Sequence, residues 1–492
     1  MKKIASLFLI GLVATAGFAA ARSDVKICGN IISTLNPFTT TIGADVQLQS
    51  QIYESFIHLD DYAKPQPRLA ERYTISKDGL VYTFYLRKGA KFHNGDVVKA
   101  SDAVFSFNAA MKSANMSAYT APIKEVKALD EYTVQITLTS VYVPFLINTW
   151  QIRIVSERAV KQAGDRFGLD NVDCGTGPYR ITSYQPKSRI VLEAFPDYYR
   201  GAASIKKIIY ETITDSSTQL IAFENSELDF LSIPTANWKG IESSKKYTTF
   251  LAPVSKVCYV ALNSYMDGPL KNKTLRQAVQ YAIDRDAINM AAYGGLGEPA
   301  FHMVNPEYVA GAPSDSFAYR YDPKMAKDLM AKAGYPNGVD IGVILCPSSS
   351  FYPKVAQVLQ ALLAEVGMKA RIETMESASA SARARTGEWA IYINQNTFVM
   401  DYDAFSRYCH SRNLSAMIVK YNNKELDALF DAGVVEMDPV KRTEIYKKTD
   451  NWIKDFAAHT ATFYPNMPYA WNKNLNVKVG LYYFYVYDWS WK

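Results

Sequence analysis

Short strand-like runs alternate with amphipathic helical segments throughout this chain, and that alternation constrains its fold more than any other feature. The run 81–86 is rich in β-branched and aromatic residues and follows a Lys-Asp-Gly turn, a pattern typical of a strand. In 322–333 apolar residues recur at helical spacing, with Pro323 at the first helical position and Gly334 ending the helix. A second strand is predicted at 339–345. Together these patterns predict α/β lobes.

The first 21 residues have the composition of a secretory leader. Two lysines at 2–3 precede an apolar run at 4–18 and three alanines that end at Ala21. The apolar run is shorter than the roughly 20 residues that span a bilayer, and no second run of that kind follows. We therefore predict cleavage near Ala21 and export to the periplasm. The first cysteine, Cys28, lies too far beyond Ala21 for a lipid anchor.

Removing that 21-residue leader from the 492-residue chain leaves 471 residues, a length typical of two or three domains. The hydrophobic content of 48% and the charged content of 21% are those of a globular protein. The net charge of +6 comes without a clustered basic tract, so a nucleic-acid partner is not expected. Five scattered cysteines form no metal motif. They leave open either one or two disulfides or simple burial as apolar side chains.

Three stretches carry a family resemblance. The first runs from 69 to 95 and continues into a helical segment at 101–107. The second is Gly-Thr-Gly-Pro-Tyr at 175–179, and the third lies within 262–285. In order and spacing these stretches resemble the family 5 extracytoplasmic solute-binding proteins, which include the dipeptide-, oligopeptide- and nickel-binding components of ABC importers. The resemblance covers nearly all of residues 30–470. The glycines of 175–179 also have a plain structural explanation, as a tight turn before a strand.

The resemblance implies an α/β fold of two lobes, a periplasmic-binding-protein clamshell of type II, class C-like, with hinge strands and an enlarged first lobe. Lobe I would comprise residues 22–257 together with 471–492, and lobe II would comprise 258–470. Ligand would be enclosed between the lobes by hinge closure, among converging polar groups. The implied partner is the membrane permease of an ABC importer. No cofactor is implied, and a monomer is expected.

The segment 389–405 resembles the family stretch in which a strand leads into an acidic turn. In peptide-binding members the first Asp of that turn pairs with the α-ammonium of the ligand, and this position falls on Asp401. A carboxylate suits that role because a desolvated ammonium is costly without one. Phe398, Tyr402 and Asp403 are further candidates from the same turn. Both acids also suit the alternative role of turn formers or helix caps.

The opposite end of the ligand has a weaker prediction. Dipeptide-binding members hold the ligand carboxylate with an Arg in a loop that matches 346–353. Here that position is Ser350, and the loop contains no Arg. Lys354 does not reproduce the bidentate fork of Arg. We therefore expect longer or blocked peptides, or another solute, with Ser350 at the cleft. Thr40 and Thr41 match a first-lobe loop that borders the cleft in relatives.

Capture of peptides, with oligopeptides favoured, is the function that the sequence predicts. An enzyme is not expected, because the five histidines are isolated and no H-E-x-x-H or G-x-S-x-G motif occurs. Two alternatives stay open. An oligosaccharide or opine-type solute would suit the aromatic content of 13%, and nickel or a metal chelate would suit the nickel-binding relatives. Cys409 and His410 are adjacent, so on a strand they would point to opposite faces, and no metal ligands are predicted.

Overall fold

Two large sheets organise this protein, and its predicted α/β character is confirmed. The predicted leader at 1–21 and the candidate Phe398 lie outside the described residues. No helix in the described part of the chain is long and apolar enough to cross a membrane. The structure, a computed structural model, describes residues 22–60, 62, 64–397, 401–481 and 483–492.

The first sheet has seven strands and draws them mainly from the N-terminal half of the chain. Its central strand alternates half-buried and buried residues, with Val25 and Ile27 in the core. That strand pairs in parallel with 207–212, so that Ile27 lies opposite Tyr210. In spatial order the strands are Tyr247–Ala252, Met467–Asn472, Phe230–Ser232, Asp24–Gly29, Lys207–Thr212, Arg189–Ala194 and Tyr179–Gln185.

A separate antiparallel sheet of four strands enlarges the N-terminal half. The strand predicted at 81–86 is confirmed and lies inside this sheet. Its buried face packs on a helix through Phe84, Phe56 and Phe107, whose rings stack in sequence at centroid distances of 4.5 and 5.2 Å. In spatial order the strands are Ala70–Ile75, Val81–Leu86, Thr133–Leu138 and Ile123–Asp130.

The second large sheet has six strands, all from the C-terminal half. The predicted helix beside it is confirmed at Pro323–Lys332, with Pro323 at its start and the Asp322 side chain accepting from the Met325 amide. The strand predicted at 339–345 is also confirmed and extends to Pro347. In spatial order the strands are Glu298–Pro299, His459–Tyr464, Lys256–Leu262, Ile391–Thr397, Val339–Pro347 and Met368–Met375.

The chain crosses between the two large sheets at 253–255 and at 465–466. Both crossings lie slightly before the predicted lobe limits of 258 and 470. Two short strand pairs complete the sheets, Ile57–Leu59 with Pro65–Pro67 and Leu475–Asn476 with Ser490–Trp491. The α-helices are Gly43–Ile52, Ala100–Met111, Ser117–Thr120, Phe145–Asn148, Glu157–Ala163, Ser216–Glu224, Trp238–Ser244, Lys273–Ala282, Arg285–Tyr293, Pro323–Lys332, Tyr352–Glu365, Ser377–Thr386, Ser406–Cys409, Lys424–Val435 and Pro439–Phe456.

The Gly-Thr-Gly motif serves a close approach between backbones. A β-carbon at Gly175 would lie 2.0 Å from the carbonyl oxygen of Ile52, and one at Gly177 would lie 2.6 Å from that of Gln51. Neither glycine has a positive φ. Both positions therefore require a residue without a side chain, because the motif packs directly on the end of the helix Gly43–Ile52.

All five cysteines are free thiols, which removes the disulfide alternative for this structure. Cys28 is half-buried, and the others are buried in the lobe cores: Cys174, Cys258, Cys346 and Cys409. Burial raises the pKa of Cys258 to about 12, so its thiol stays protonated and packs as a small apolar side chain.

Candidate ligand-binding site

A cavity of about 670 Å³, the outer cavity, lies between the N-terminal half of the chain and the half built on the six-stranded sheet. Residues of the segments 117–122 and 140–148 line it from one side. The other side consists of Thr397 and residues of the segments 401–413 and 431–435. Beside it the amide of Val143 donates to the carbonyl oxygen of Val434 at 2.9 Å. The two halves therefore meet around a partly open cleft, the usual location of a ligand in a protein of two lobes.

Asp403 lines this cavity and has a buried carboxylate oxygen without a hydrogen-bond partner. The residue is 6% exposed, and its Oδ1 has no hydrogen-bond partner. Its Oδ2 accepts from the hydroxyl of Tyr142 at 3.3 Å, across the gap between the two halves. Burial raises the pKa of Asp403 and the neighbouring charge of Asp401 raises it further, while Arg412 and Arg442 oppose the shift. A buried carboxylate with a free oxygen is a favourable place for a cation.

Asp401 lines the same cavity, but its carboxylate is occupied. Arg442 donates from Nη1 to Oδ2 and from Nη2 to Oδ1, each at 2.7 Å, and both side chains are buried. Burial alone would lower the pKa of Arg442, but the charge of Asp401 and its hydrogen bonds raise it. Oδ1 of Asp401 also accepts from the amide of Asp403 at 2.9 Å. Asp401 thus caps the short helical turn Tyr402–Phe405 and ties it to the helix Pro439–Phe456.

Tyr402 lies behind the cavity wall, in the core of the C-terminal half. It is 1% exposed, and its hydroxyl donates to Asp450 at 3.4 Å. Its ring packs on that of Tyr446 at a centroid distance of 4.6 Å. The alternation of the turn explains this placement, since Asp401 and Asp403 line the cavity and the residue between them does not.

The remaining predicted residues lie away from the outer cavity. Ser350 is exposed on the loop that follows the strand Val339–Pro347, and its φ is 60°. Thr40 is buried and donates to Asp45 at 2.8 Å, whereas Thr41 is exposed. Of the predicted residues that the structure describes, it brings Asp401 and Asp403 together at the cavity and leaves these three apart from it.

A second cavity of about 360 Å³, the hinge cavity, lies where the chain crosses between the two large sheets. Lys256, the first residue of the strand that leaves the crossing at 253–255, lines it. Lys256 is half-buried, and burial lowers its pKa. Across the cavity lining, the hydroxyl of Tyr210 is buried and has no hydrogen-bond partner. Gly29 makes room for that ring, since its β-carbon would lie 3.1 Å from that of Tyr210.

The hinge cavity and the outer cavity are adjacent. Lys256 lines the first, Thr397 lines the second, and the two residues pair across neighbouring strands. A residue pair on neighbouring antiparallel strands lies about 5 Å apart, with both side chains on one face of the sheet. The two cavities therefore approach each other at this pair.

Tyr142, Arg442, Tyr210 and Lys256 were not predicted from the sequence. Tyr142 is 261 residues from Asp403 and Arg442 is 41 residues from Asp401, so no local pattern links the partners. Lys256 had a detectable signal, because a lysine that begins a buried strand beside the predicted lobe limit at 258 is unusual. No group of three His, Cys, Asp or Glu side chains in the described ranges is arranged to hold a metal ion.

Residues 64–414 match the bacterial extracellular solute-binding proteins, family 5 middle. The glutathione-binding protein GsiB of Escherichia coli strain 536 is 28% identical over 468 residues, which cover 90% of this chain and 88% of that protein. Two solved structures share the fold. The ABC transporter substrate-binding protein CtaP of Listeria monocytogenes has a TM-score of 0.88 at 24% identity, with 96% of this chain and 99% of that chain covered.

The second structure is the periplasmic binding protein DppA of Helicobacter pylori in complex with the peptide STSA. Its TM-score is 0.77 at 24% identity, with 96% of this chain and 98% of that chain covered. These matches confirm the predicted family, the two-lobed periplasmic-binding-protein fold and the solute-binding function in ABC import. This chain belongs to the bacterial extracellular solute-binding proteins of family 5.

Proposed function

We propose that this protein captures short peptides with a free amino terminus in the periplasm and delivers them to the permease of an ABC importer. Export uses the leader at 1–21, which is cleaved near Ala21. The exported protein acts as a monomer. The full-length likeness to a glutathione-binding protein supports a peptide ligand, because glutathione is itself a tripeptide with one ammonium and two carboxylates. The outer cavity also falls within the range of roughly 300–1,000 Å³ that is usual for small-molecule sites.

The observation that carries this proposal is the free Oδ1 of Asp403. A buried carboxylate oxygen without a donor costs free energy, and an ammonium is the group that relieves the cost most completely. The α-ammonium of a peptide also needs such a partner, because its own desolvation is expensive. Asp401 already accepts three hydrogen bonds, and its charge is paired with Arg442, so it attracts a second cation less strongly than Asp403 does. We therefore assign the ligand ammonium to Asp403 and a positioning role to Asp401.

Closure of the two halves around the peptide follows from the same contacts. Tyr142 reaches Asp403 and Val143 reaches Val434, so residues of the four-stranded region contact the C-terminal half directly at the cavity. A ligand that contacts groups from both halves binds the closed state more tightly than the open state. That difference in affinity shifts the protein toward the closed state. The permease would then recognise a closed, loaded protein.

Isothermal titration calorimetry with trialanine and N-acetyl-trialanine tests the proposal. Trialanine should bind, and acetylation should weaken binding by about 100-fold, since loss of one partner of a buried charge pair costs about 2–5 kcal/mol. Asp403→Asn should remove that preference. Asp431→Asn is the matched control, because Asp431 lines the same cavity but is exposed and pairs with Arg412.

Other ligand classes would give a different result in the same assay. Glutathione, chitotriose and Ni²⁺ are titrated alongside the peptides. Binding of chitotriose or Ni²⁺ without binding of any peptide would contradict the proposed function. Equal affinity for trialanine and its acetylated form would contradict the assignment of Asp403.

A further inference from the structure

We infer that Lys256 and Tyr210 form the subsite for the carboxylate of the ligand, in the hinge cavity. This inference rests on the proposed function, since the anion is the carboxyl terminus of the captured peptide. It supplies the anchor that the sequence lacks at Ser350. It also fixes the orientation of the ligand, with the ammonium in the outer cavity and the carboxylate at the hinge.

The described lining of the hinge cavity carries a positive charge. Lys256 is its cationic residue, and no Asp or Glu is among the described residues that line it. Within the described part of the chain, the ammonium of Lys256 has neither an ion pair within 4 Å nor a hydrogen bond, and burial is the one cause of its lowered pKa. A half-buried ammonium without a counterion costs free energy, and an anion entering the cavity relieves that cost.

Tyr210 lines the same cavity and has a hydroxyl without a hydrogen-bond partner. Its hydroxyl is buried, with the residue 6% exposed, and it donates to no acceptor. Burial raises its pKa, so the hydroxyl keeps its proton and remains a hydrogen-bond donor. Two amide side chains of the lining are already engaged: Gln47 donates to the carbonyl of Phe484, and Gln219 donates to that of Ile213. An ammonium and a phenol that both lack partners form a donor set suited to a carboxylate.

The two cavities lie on neighbouring strands of the six-stranded sheet. Lys256 of the hinge cavity and Thr397 of the outer cavity pair across neighbouring strands, so the two cavities approach each other along this wall of the sheet. A peptide extended along this wall has its two charged ends in the two cavities. The single ammonium of Lys256 does not impose the bidentate geometry of an Arg, so it should admit carboxylates in several orientations. Peptides of more than one length should therefore be accepted.

Arg407 is the rival cation. It lines the outer cavity, is exposed and makes no ion pair in the described part of the chain. Because it lies on the same wall as Asp403, it would attract a carboxylate to the same cavity as the ammonium. Arg407→Met is therefore the matched control for Lys256→Met.

Calorimetric titration with trialanine and trialanine amide tests the inference. The wild type should bind the acid about 30-fold more tightly than the amide. Lys256→Met should bind both as weakly as the wild type binds the amide, Tyr210→Phe should lose part of the preference, and Arg407→Met should keep it. Equal affinity of the wild type for acid and amide, or a preference that survives in Lys256→Met but not in Arg407→Met, would overturn the inference.

A second probe separates this result from a failure of the proposed function. Phenylpropionate and phenylpropionamide differ in the carboxylate alone and contain no ammonium. The acid should raise the melting temperature of the wild type, and this rise should disappear in Lys256→Met. If no peptide binds and the acid still stabilises the wild type through Lys256, the peptide function is wrong and the anion subsite stands. If the acid and the amide act alike, the anion subsite is wrong.

Discussion

Arg442 holds both carboxylate oxygens of Asp401 at 2.7 Å in a buried pair, and this pair separates the roles of the two acids in the turn. Asp401 accepts three hydrogen bonds inside the protein, two from Arg442 and one from the amide of Asp403. Asp403, held by that cap, lines the cavity and keeps one buried oxygen without a hydrogen-bond partner. Asp401 therefore sets the position of the residue that meets the ligand.

Arg442→Met should lower the free energy of unfolding by about 3–5 kcal/mol, because it leaves the Asp401 carboxylate buried without its partner. Urea denaturation followed by circular dichroism measures this loss. Arg412→Met is the control, since Arg412 is half exposed and its pair with Asp431 should contribute less than about 1 kcal/mol. A loss below about 1 kcal/mol for Arg442→Met would show that the pair is not structural.

Asp403→Asn should stabilise the ligand-free protein at neutral pH. The pKa of Asp403 is raised by folding, so the folded state holds its proton more tightly than the unfolded state. The free energy of unfolding therefore falls as the pH rises from the usual aspartate pKa through the raised pKa of the folded state. Above that raised pKa the whole loss of stability is present. Asparagine never acquires that charge. Thermal melts at pH 7 should show a higher melting temperature for the variant, and a lower one would contradict the account.

Affinity for a zwitterionic peptide should fall on both sides of neutral pH. On the acidic side, Asp403 gains a proton at a pH above its usual pKa of 3.8 and no longer attracts the ammonium. On the alkaline side, the α-ammonium of the peptide, with a pKa of about 8, loses its proton and no longer attracts Asp403. Lys256 also loses its proton below its usual pKa of 10.5, so the part of the alkaline limb that disappears in Lys256→Met belongs to Lys256. Titrations from pH 4 to pH 10 with wild type and both neutral variants measure this. An acidic limb that persists in Asp403→Asn would assign it to another group.

Gly175→Ala should destabilise the protein by about 1–3 kcal/mol or more, because the new methyl group would lie 2.0 Å from the carbonyl oxygen of Ile52. Gly240→Ala is the control. Gly240 lies in the helix Trp238–Ser244 with nothing within 4 Å of a β-carbon, so alanine there should stabilise by up to about 1 kcal/mol. Chemical denaturation of both variants compares them, and equal effects would remove the close-approach explanation of the motif.

The elements that the sequence predicted correctly depend on local chemistry. The strand at 81–86 and the helix begun by Pro323 are specified by neighbouring residues, and both occur in the structure. The acidic turn, chosen from the family resemblance, has Asp401 and Asp403 at the outer cavity, and its contact with ligand stays a prediction. The roles within the turn depend on Arg442 and Tyr142, which tertiary folding brings to it from distant positions. The pattern of the turn contains no information on either partner.

A crystal structure of the protein with bound trialanine would show directly which acid meets the ligand ammonium. We expect the amino-terminal nitrogen of the peptide within about 2.7–3.2 Å of Oδ1 of Asp403, with the pair between Asp401 and Arg442 intact. A peptide whose ammonium contacts Asp401 with Arg442 displaced, or one that lies outside the two cavities, would contradict this expectation.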